Sequence, residues 1–467
     1  MSGRTMGMIL AAGAGTRARH LTDIRRTAYP VAKPMFRLLD TPIMHHTVLE
    51  MQRQGITDIF CNVWSNPDTL ESYYSNIAPG AVKMYRESQL MGTMGSAVHW
   101  TIEHGIGDAD RVFVISGDIA SNADLGRILA EHERVGADAT IAFNPVDWSQ
   151  VPKYGTAYLE GMPEKRPQRS DETVEQYASY LRSYIADMDR YIKGTSYSAV
   201  QVHQFREKAS IADCCSNANN SSIYLFNGSV IRALYERGIT PTTEKTDPFY
   251  DFGAHGFRHI LEQGMKFFGV LLPHEVYWAD IGDMGKYWLA IMDTLDGRFD
   301  RSMWPSIIPQ ADKESGVISF IHPSAMIHDT AELIPPYYIG PDVHIGAGAR
   351  VERASLSRGS LIGPNSTVYA SAVLESSHYH SGDTIRQLRG DGTRGSILQR
   401  SLMASGFLAP GQMASNNVVL TTPDGYVRFA PIGMDKDLSE QRARGAHVPA
   451  VEAISLDAIG QAVVHRN

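Results

Sequence analysis

Apolar runs of strand length stand at 8–12, 56–64, 110–118 and 137–143, with helical periodicity at 41–55 and 123–136 between them. An uninterrupted apolar run reads as a strand covered on both faces. Strand–helix alternation predicts an α/β unit with a doubly wound, mostly parallel sheet. Such sheets bind ligands beyond the carboxyl ends of their strands. Two polar features fall there: the glycine-rich turn 13–17 after the first run, and Asp118 at the end of the third.

Residues 161–200 interrupt the alternation. Val174, Tyr177, Leu181, Tyr184, Ile185, Met188, Tyr191 and Ile192 follow helical spacing, and Gly194 is placed to end that helix. From Ile321 the period becomes six, through Ile327, Leu333, Ile339, Ile345 and Val351. After a slip of one residue it continues through Leu356, Ile362, Val368 and Leu374. Small residues recur four places after most anchors, as at Ala325, Ala331, Ala349, Ser360 and Ser366. A six-residue repeat predicts a left-handed parallel β-helix, whose triangular coils stack their aliphatic corners. The polar stretch 376–395 interrupts it as a loop, and Leu402, Leu408, Ala414 and Leu420 resume it. The expected organisation is a unit at 1–296, a linker at 297–320, the β-helix at 321–428 and a tail at 429–467.

The 467 residues are 43% hydrophobic and 20% charged, which suits a globular protein of two or three domains. A net charge of −8 argues against a broad nucleic-acid surface, so an anion must be held by a local basic pocket. No run approaches the ~18 apolar residues of a membrane helix. Cys61, Cys214 and Cys215 lack metal-site spacing, and their usage points to a reducing cytoplasm.

Gly13, Gly15 and Ala18 fit the G-x-G-x-x-A turn in which backbone N–H groups approach phosphate oxygens and a helix start adds its positive end. A dinucleotide site would also want an acid about 20 residues further on, closing a second strand. Asp40 precedes a helix instead. Arg17 within the loop, and Lys33-Pro34 after it, suit a polyphosphate leaving group better.

With those residues, "LAAGAGTRARHLT…KPM" resembles the signature of the sugar-1-phosphate nucleotidylyltransferases, the NDP-sugar pyrophosphorylases. The resemblance runs on through "LMGTMGSA" (90–97), "VISGD" ending at Asp118, "KYG" (153–155), "FREK" (205–208), "NSSIYLF" (220–226) and "YWADIGDMGKYW" (277–288). It implies nucleotide contacts from Leu10, Ala11, Ala12, Gly13, Ala14, Gly15, Thr16 and Arg17, and base recognition at Gly92 and Thr93. It implies sugar-phosphate contacts from Tyr154, Gly155, Glu207, Lys208, Asn220 and Ser222, and Mg²⁺ held by Asp118 and Asp280. Arg17, Lys33 and Asp118 are the expected catalytic residues. The implied partners are a nucleoside triphosphate and a sugar 1-phosphate, in a homo-oligomer (dimer or tetramer).

"YDFG" (250–253) and the β-helix point to the ADP-glucose branch of the family, whereas "HLTDIRRTAYPVAKPM" (20–35) is closer to its guanylyl- and thymidylyltransferases. The expected reaction moves NMP from GTP or ATP to a sugar or cyclitol 1-phosphate, such as valienol 1-phosphate in antibiotic assembly. Synthesis of ADP-glucose, a bifunctional uridylyltransferase–acyltransferase and a non-catalytic regulatory relative stay open beside it. The insertion adds one more expectation. Tyr177, Tyr180, Tyr184 and Tyr191 combine ring and hydroxyl, which suits a helix covering the sugar pocket or bridging subunits.

Overall fold

The computed structural model describes residues 3–210, 213–236, 251–299, 319–374, 397–399, 401–403, 413–421, 423 and 427–432. A nine-stranded sheet forms the centre of the first unit. Its order is Lys83–Arg86, Ile59–Val63, Thr5–Leu10, Arg111–Ser116, Ala218–Asn227, Ala139–Pro145, Phe267–Leu271, Ala199–Glu207 and Gly155–Leu159. Side chains alternate across it: Met6, Met8, Val112, Val114, Tyr224 and Phe226 fill one core, and Ile9, Phe113, Ile115, Ile223 and Leu225 the other. Two covered faces explain the uninterrupted apolar runs.

The expectation of a mostly parallel sheet holds for the first four strands of that order, which pair in parallel, and for Ala139–Pro145 with Phe267–Leu271. Ala218–Asn227 lies antiparallel between Arg111–Ser116 and Ala139–Pro145, and Ala199–Glu207 is antiparallel to both its neighbours. The sheet is mixed.

The insertion folds as the helix Val174–Thr195, opened by a capping box between Thr173 and Gln176. It runs one residue beyond Gly194. Tyr184, Met188 and Ile192 are buried in the core. The hydroxyls of Tyr177 and Tyr180 donate to the carbonyls of Arg166 and Glu164, Tyr184 to that of Cys215, and Tyr191 to that of Glu160. Those groups are therefore used in packing the helix on its own domain, which removes the argument for a wet contact elsewhere.

His45 and His46 lie on the helix Ile43–Arg53 against Tyr73, Tyr74 and Phe299. Burial depresses their pKa values to about 4 and about 3. The unfolded chain binds these protons near pH 6.5 and the folded chain does not, so stability is lost as pH falls below 6.5. Each neutral imidazole contributes a slope of about 1.4 kcal/mol per pH unit. The melting temperature should therefore fall between pH 6.5 and 5, and His46→Gln should flatten that slope.

The second unit stacks parallel strands. Ile321 pairs with Ile339, Ile327 with Ile345, and Leu333 with Val351. Hydrogen bonds such as Asp342 N–H to Ser324 Oγ span the same 18 residues, three hexapeptides. The next coil is a residue shorter, because Val351 to Leu356 is a five-residue side. Parallel register then forces its neighbour to copy it. Leu356 pairs with Val373, and Val373 with Met403. Val373, Met403 and Val419 thus take the inward places expected of Leu374, Leu402 and Leu420. Ala414 faces inward as expected; the loop 376–395 and Leu408 lie outside the described residues.

The two units share a core in which Trp288, Tyr287, Leu38, Tyr338, Ala370 and Val418 are buried together. Trp288 Nε1 donates to the Ala370 carbonyl at 2.8 Å, the Tyr338 hydroxyl to Asp40 at 2.7 Å, and Arg353 pairs with Asp296. Asp40, which precedes a helix instead of closing a second strand, is a junction residue.

Candidate active site

The loop after Thr5–Leu10 passes through two glycines with different duties. Gly15 has φ 61°, and an added Cβ would lie 2.8 Å from Thr22 Cγ2, so the fold requires it. A Cβ on Gly13 would meet nothing within 4 Å. Packing does not demand Gly13; close approach of a ligand would. The following helix is only a 3₁₀ turn, Thr16–Ala18, and four α residues, Arg19–Thr22. Its dipole is slight, so the positive helix end expected here gives way to loop amides and cations. The Ala11 amide is spent on Asn62 Oδ1 at 2.9 Å, while Leu10, Ala12 and Gly13 line a cavity of about 290 Å³. Ala14, Thr16 and Arg17 continue the loop, with Thr16 and Arg17 exposed.

Lys33 and Asp118 line the same cavity as a pair, the ammonium on the carboxylate. Lys33 is buried in the turn Lys33–Met35, and Asp118 also accepts from Ser116 Oγ at 2.6 Å. Burial alone would raise the Asp118 pKa, but Lys33 and Ser116 hold it below the usual carboxylate range.

The strand Trp278–Asp280 pairs antiparallel with Ile119–Ser121, setting Asp280 opposite Ile119, and the Ile281 amide donates to the Asp118 carbonyl at 3.1 Å. The two acids expected to hold metal therefore come close together, Asp118 in the turn that opens one strand and Asp280 at the end of its neighbour. Gly282 lets Arg17 lie alongside: an added Cβ there would stand 3.1 Å from both terminal nitrogens of the guanidinium. Lys286 Nζ reaches Asp280 Oδ2 at 3.0 Å and the Tyr154 hydroxyl at 2.7 Å. Burial works against that charge, yet Asp280 and Tyr154 hold the ammonium above the usual lysine range.

On the far side, Gly155 sits opposite Glu207, whose Oε2 would be 2.4 Å from an added Cβ. Burial raises the Glu207 pKa. Lys208 has φ 49°, gives its amide to the Tyr154 carbonyl, and pairs with Glu207 at 3.6 Å while staying largely exposed. Asn220 Oδ1 accepts from the Ser222 amide within a register shift of Ala218–Asn227, with Ser222 at φ 61°. Trp278 Nε1 donates to the Ser221 carbonyl and its ring meets Tyr154 edge-on, which ties this shift to the acid strand.

Gly92 precedes the helix Thr93–Glu103 and lines the cavity. Thr93 lines it too, but its hydroxyl bonds Asp251 and the Phe252 amide, so its hydroxyl bolts the loop in place. Sequence reasoning missed Glu87. Its Oε1 accepts from Asn62, Ser96 and Trp100 at 2.8, 2.6 and 3.2 Å, and its buried Oε2 has no partner among the described residues. The signal was there: an acid following a parallel strand, as with Asp118, and a polar Asn62 within a buried run.

Residues 6–297 match the family model described as nucleotidyl transferase. The chain belongs to that family. It is 26% identical over 380 residues to a UTP–glucose-1-phosphate uridylyltransferase of Synechocystis, covering 79% of this chain and 81% of the relative. It is 24% identical over 391 residues to a glucose-1-phosphate adenylyltransferase of Halalkalibacterium halodurans, covering 79% and 85%. It is 23% identical over 375 residues to a probable mannose-1-phosphate guanylyltransferase 1 of Oryza sativa, covering 78% and 85%. The protein is thus an enzyme of the nucleotidyl-transferring kind. The relatives' names divide among three bases, so the choice of base rests on the pocket. No helix among the described residues is long and apolar enough to cross a membrane.

Proposed function

We propose that the enzyme transfers GMP from GTP to a sugar 1-phosphate, or to a sugar-like cyclitol 1-phosphate such as valienol 1-phosphate, and releases pyrophosphate. The observation that carries the base is Glu87. Guanine presents N1–H and N2–H₂ donors side by side, and a buried carboxylate oxygen lacking a partner accepts them. Adenine places an acceptor at N1 and leaves that oxygen unpaired, which buried sites penalise heavily. A glucose-1-phosphate adenylyltransferase is the second reading, favoured by the ADP-glucose-like "YDFG" segment.

An oxygen of the acceptor phosphate attacks the α-phosphorus while the α–β bridge bond breaks. That oxygen is already ionised at neutral pH, so no general base is required. The protein's work is alignment and charge neutralisation. Arg17 faces the leaving pyrophosphate, Lys33 the α-phosphoryl group and Lys208 the acceptor phosphate. Asp118 and Asp280 suit Mg²⁺, which binds through one or two carboxylates plus substrate phosphates rather than an all-protein cage. Two acids close together, with no cluster of three metal-binding side chains among the described residues, fit that habit. When bound, the ion would supply positive charge for the phosphate oxygens. The stacked ladder we read as a left-handed β-helix.

Turnover with four NTPs tests the base. The wild type should prefer GTP, and Glu87→Gln should lower GTP kcat/KM about 10- to 100-fold, the worth of a charge-assisted hydrogen bond. An unchanged GTP:ATP ratio would remove Glu87 from base selection.

A further inference from the structure

Each candidate metal acid carries a lysine. Lys33 stands on Asp118, and Lys286 on Asp280. Lys286 sits on the first turn of the helix Met284–Leu295, where its amide donates to the capping Asp283. That cap fixes the start of the side chain, and the Tyr154 and Asp280 bonds fix its end. The ammonium also lies 5.0 Å from the Tyr154 ring centroid. Two anchors hold it between the acid and the sugar-side tyrosine.

We propose that Lys286 is the counter-ion a divalent cation must displace from Asp280, and that the displaced ammonium, still held by Tyr154, receives the acceptor's phosphate. This rests on Asp280 being a metal ligand. One carboxylate oxygen cannot serve ammonium and metal equally, so the two cations compete for it. Once released, the ammonium has the Tyr154 oxygen on one side and two free N–H donors for a phosphate. Lys208, mostly exposed, is then a second and more mobile cation on the same group. Metal entry and phosphate entry become coupled through a single side chain: each makes room for, or neutralises, what the other leaves behind.

Mn²⁺ titration of the full-length protein by electron paramagnetic resonance, with and without inorganic phosphate, reads this without turnover. In the wild type, phosphate should tighten Mn²⁺ about fivefold or more, the usual lower range of coupling between sites. Lys286→Met should bind Mn²⁺ several-fold tighter in the absence of phosphate, and phosphate should no longer tighten it. Lys286→Arg, which keeps the charge, should retain most of the coupling. A merely structural lysine would weaken Mn²⁺ when removed. Weaker or unchanged Mn²⁺ binding in a folded Lys286→Met variant, or undiminished coupling, would overturn the proposal; circular dichroism confirms folding, and Lys286→Gln gives a second polar variant. Asp280→Asn separates the two levels. If it binds Mn²⁺ as the wild type does, the metal reading itself fails; if it loses Mn²⁺ while Lys286→Met behaves as wild type, only Lys286 is misassigned.

Discussion

Asp280→Asn and Asp118→Asn should each reduce turnover by about 10³-fold or more, within the range expected when a group stabilising developing charge is lost. Their effects on stability should differ. Lys286, the partner of Asp280, is 23% exposed and keeps its bond to Tyr154, so that variant should melt close to the wild type. Asp118 balances Lys33, whose side chain is only 9% exposed. Removing the acid leaves a buried ammonium without a counter-charge, a class of change that costs about 3–5 kcal/mol when the pair is fully buried. Asp118 is itself 23% exposed, so the loss should be smaller but visible as several degrees in Tm. Steady-state rates and melting curves of both variants check this. Full activity in EDTA would contradict the role of both acids.

Arg17→Ala should lower kcat by about 10²- to 10³-fold, the usual loss on removing one preorganised donor from developing charge. Its guanidinium has no acid partner among the described residues and lies close against Gly282, beside the acid strand. Charge there is felt most as the α–β bond breaks and pyrophosphate becomes a full anion. The acceptor's KM should rise much less than kcat falls. Arg17→Lys should recover little, because an ammonium cannot present two parallel donors to phosphate oxygens. A variant with normal kcat and a raised KM for the acceptor would move Arg17 to the sugar side.

The residues that announced themselves in the chain were those at strand ends. Gly13, Lys33 and Asp118 come to one cavity, with Asp280 on the strand beside Asp118 and Arg17 against Gly282. What stayed hidden depended on contacts between distant elements. Glu87 needs Asn62, Ser96 and Trp100 from two other elements before its spare oxygen means anything. Lys286 is one lysine on a largely buried helix until the acid strand sets Asp280 and Tyr154 beside it. The mixed sheet was hidden as well, since apolar runs do not reveal strand direction. The six-residue rhythm was legible to Ile362 and Val368, then lost phase because a five-residue side recurs in the next coil. The tyrosines of the insertion look available along the sequence; folded, their hydroxyls go to carbonyls between 160 and 215.

The central claim is that this cavity exchanges pyrophosphate for a phosphorylated sugar or cyclitol on a guanine nucleotide. Phosphorus NMR of the purified enzyme with Mg²⁺, each of the four NTPs and a panel of sugar and cyclitol 1-phosphates measures that directly. The account predicts that GTP and an acceptor phosphate disappear together, one pyrophosphate appearing for each new pyrophosphate-linked conjugate. Pyrophosphate released without consumption of any acceptor, or a conjugate formed faster from another NTP than from GTP, would contradict it.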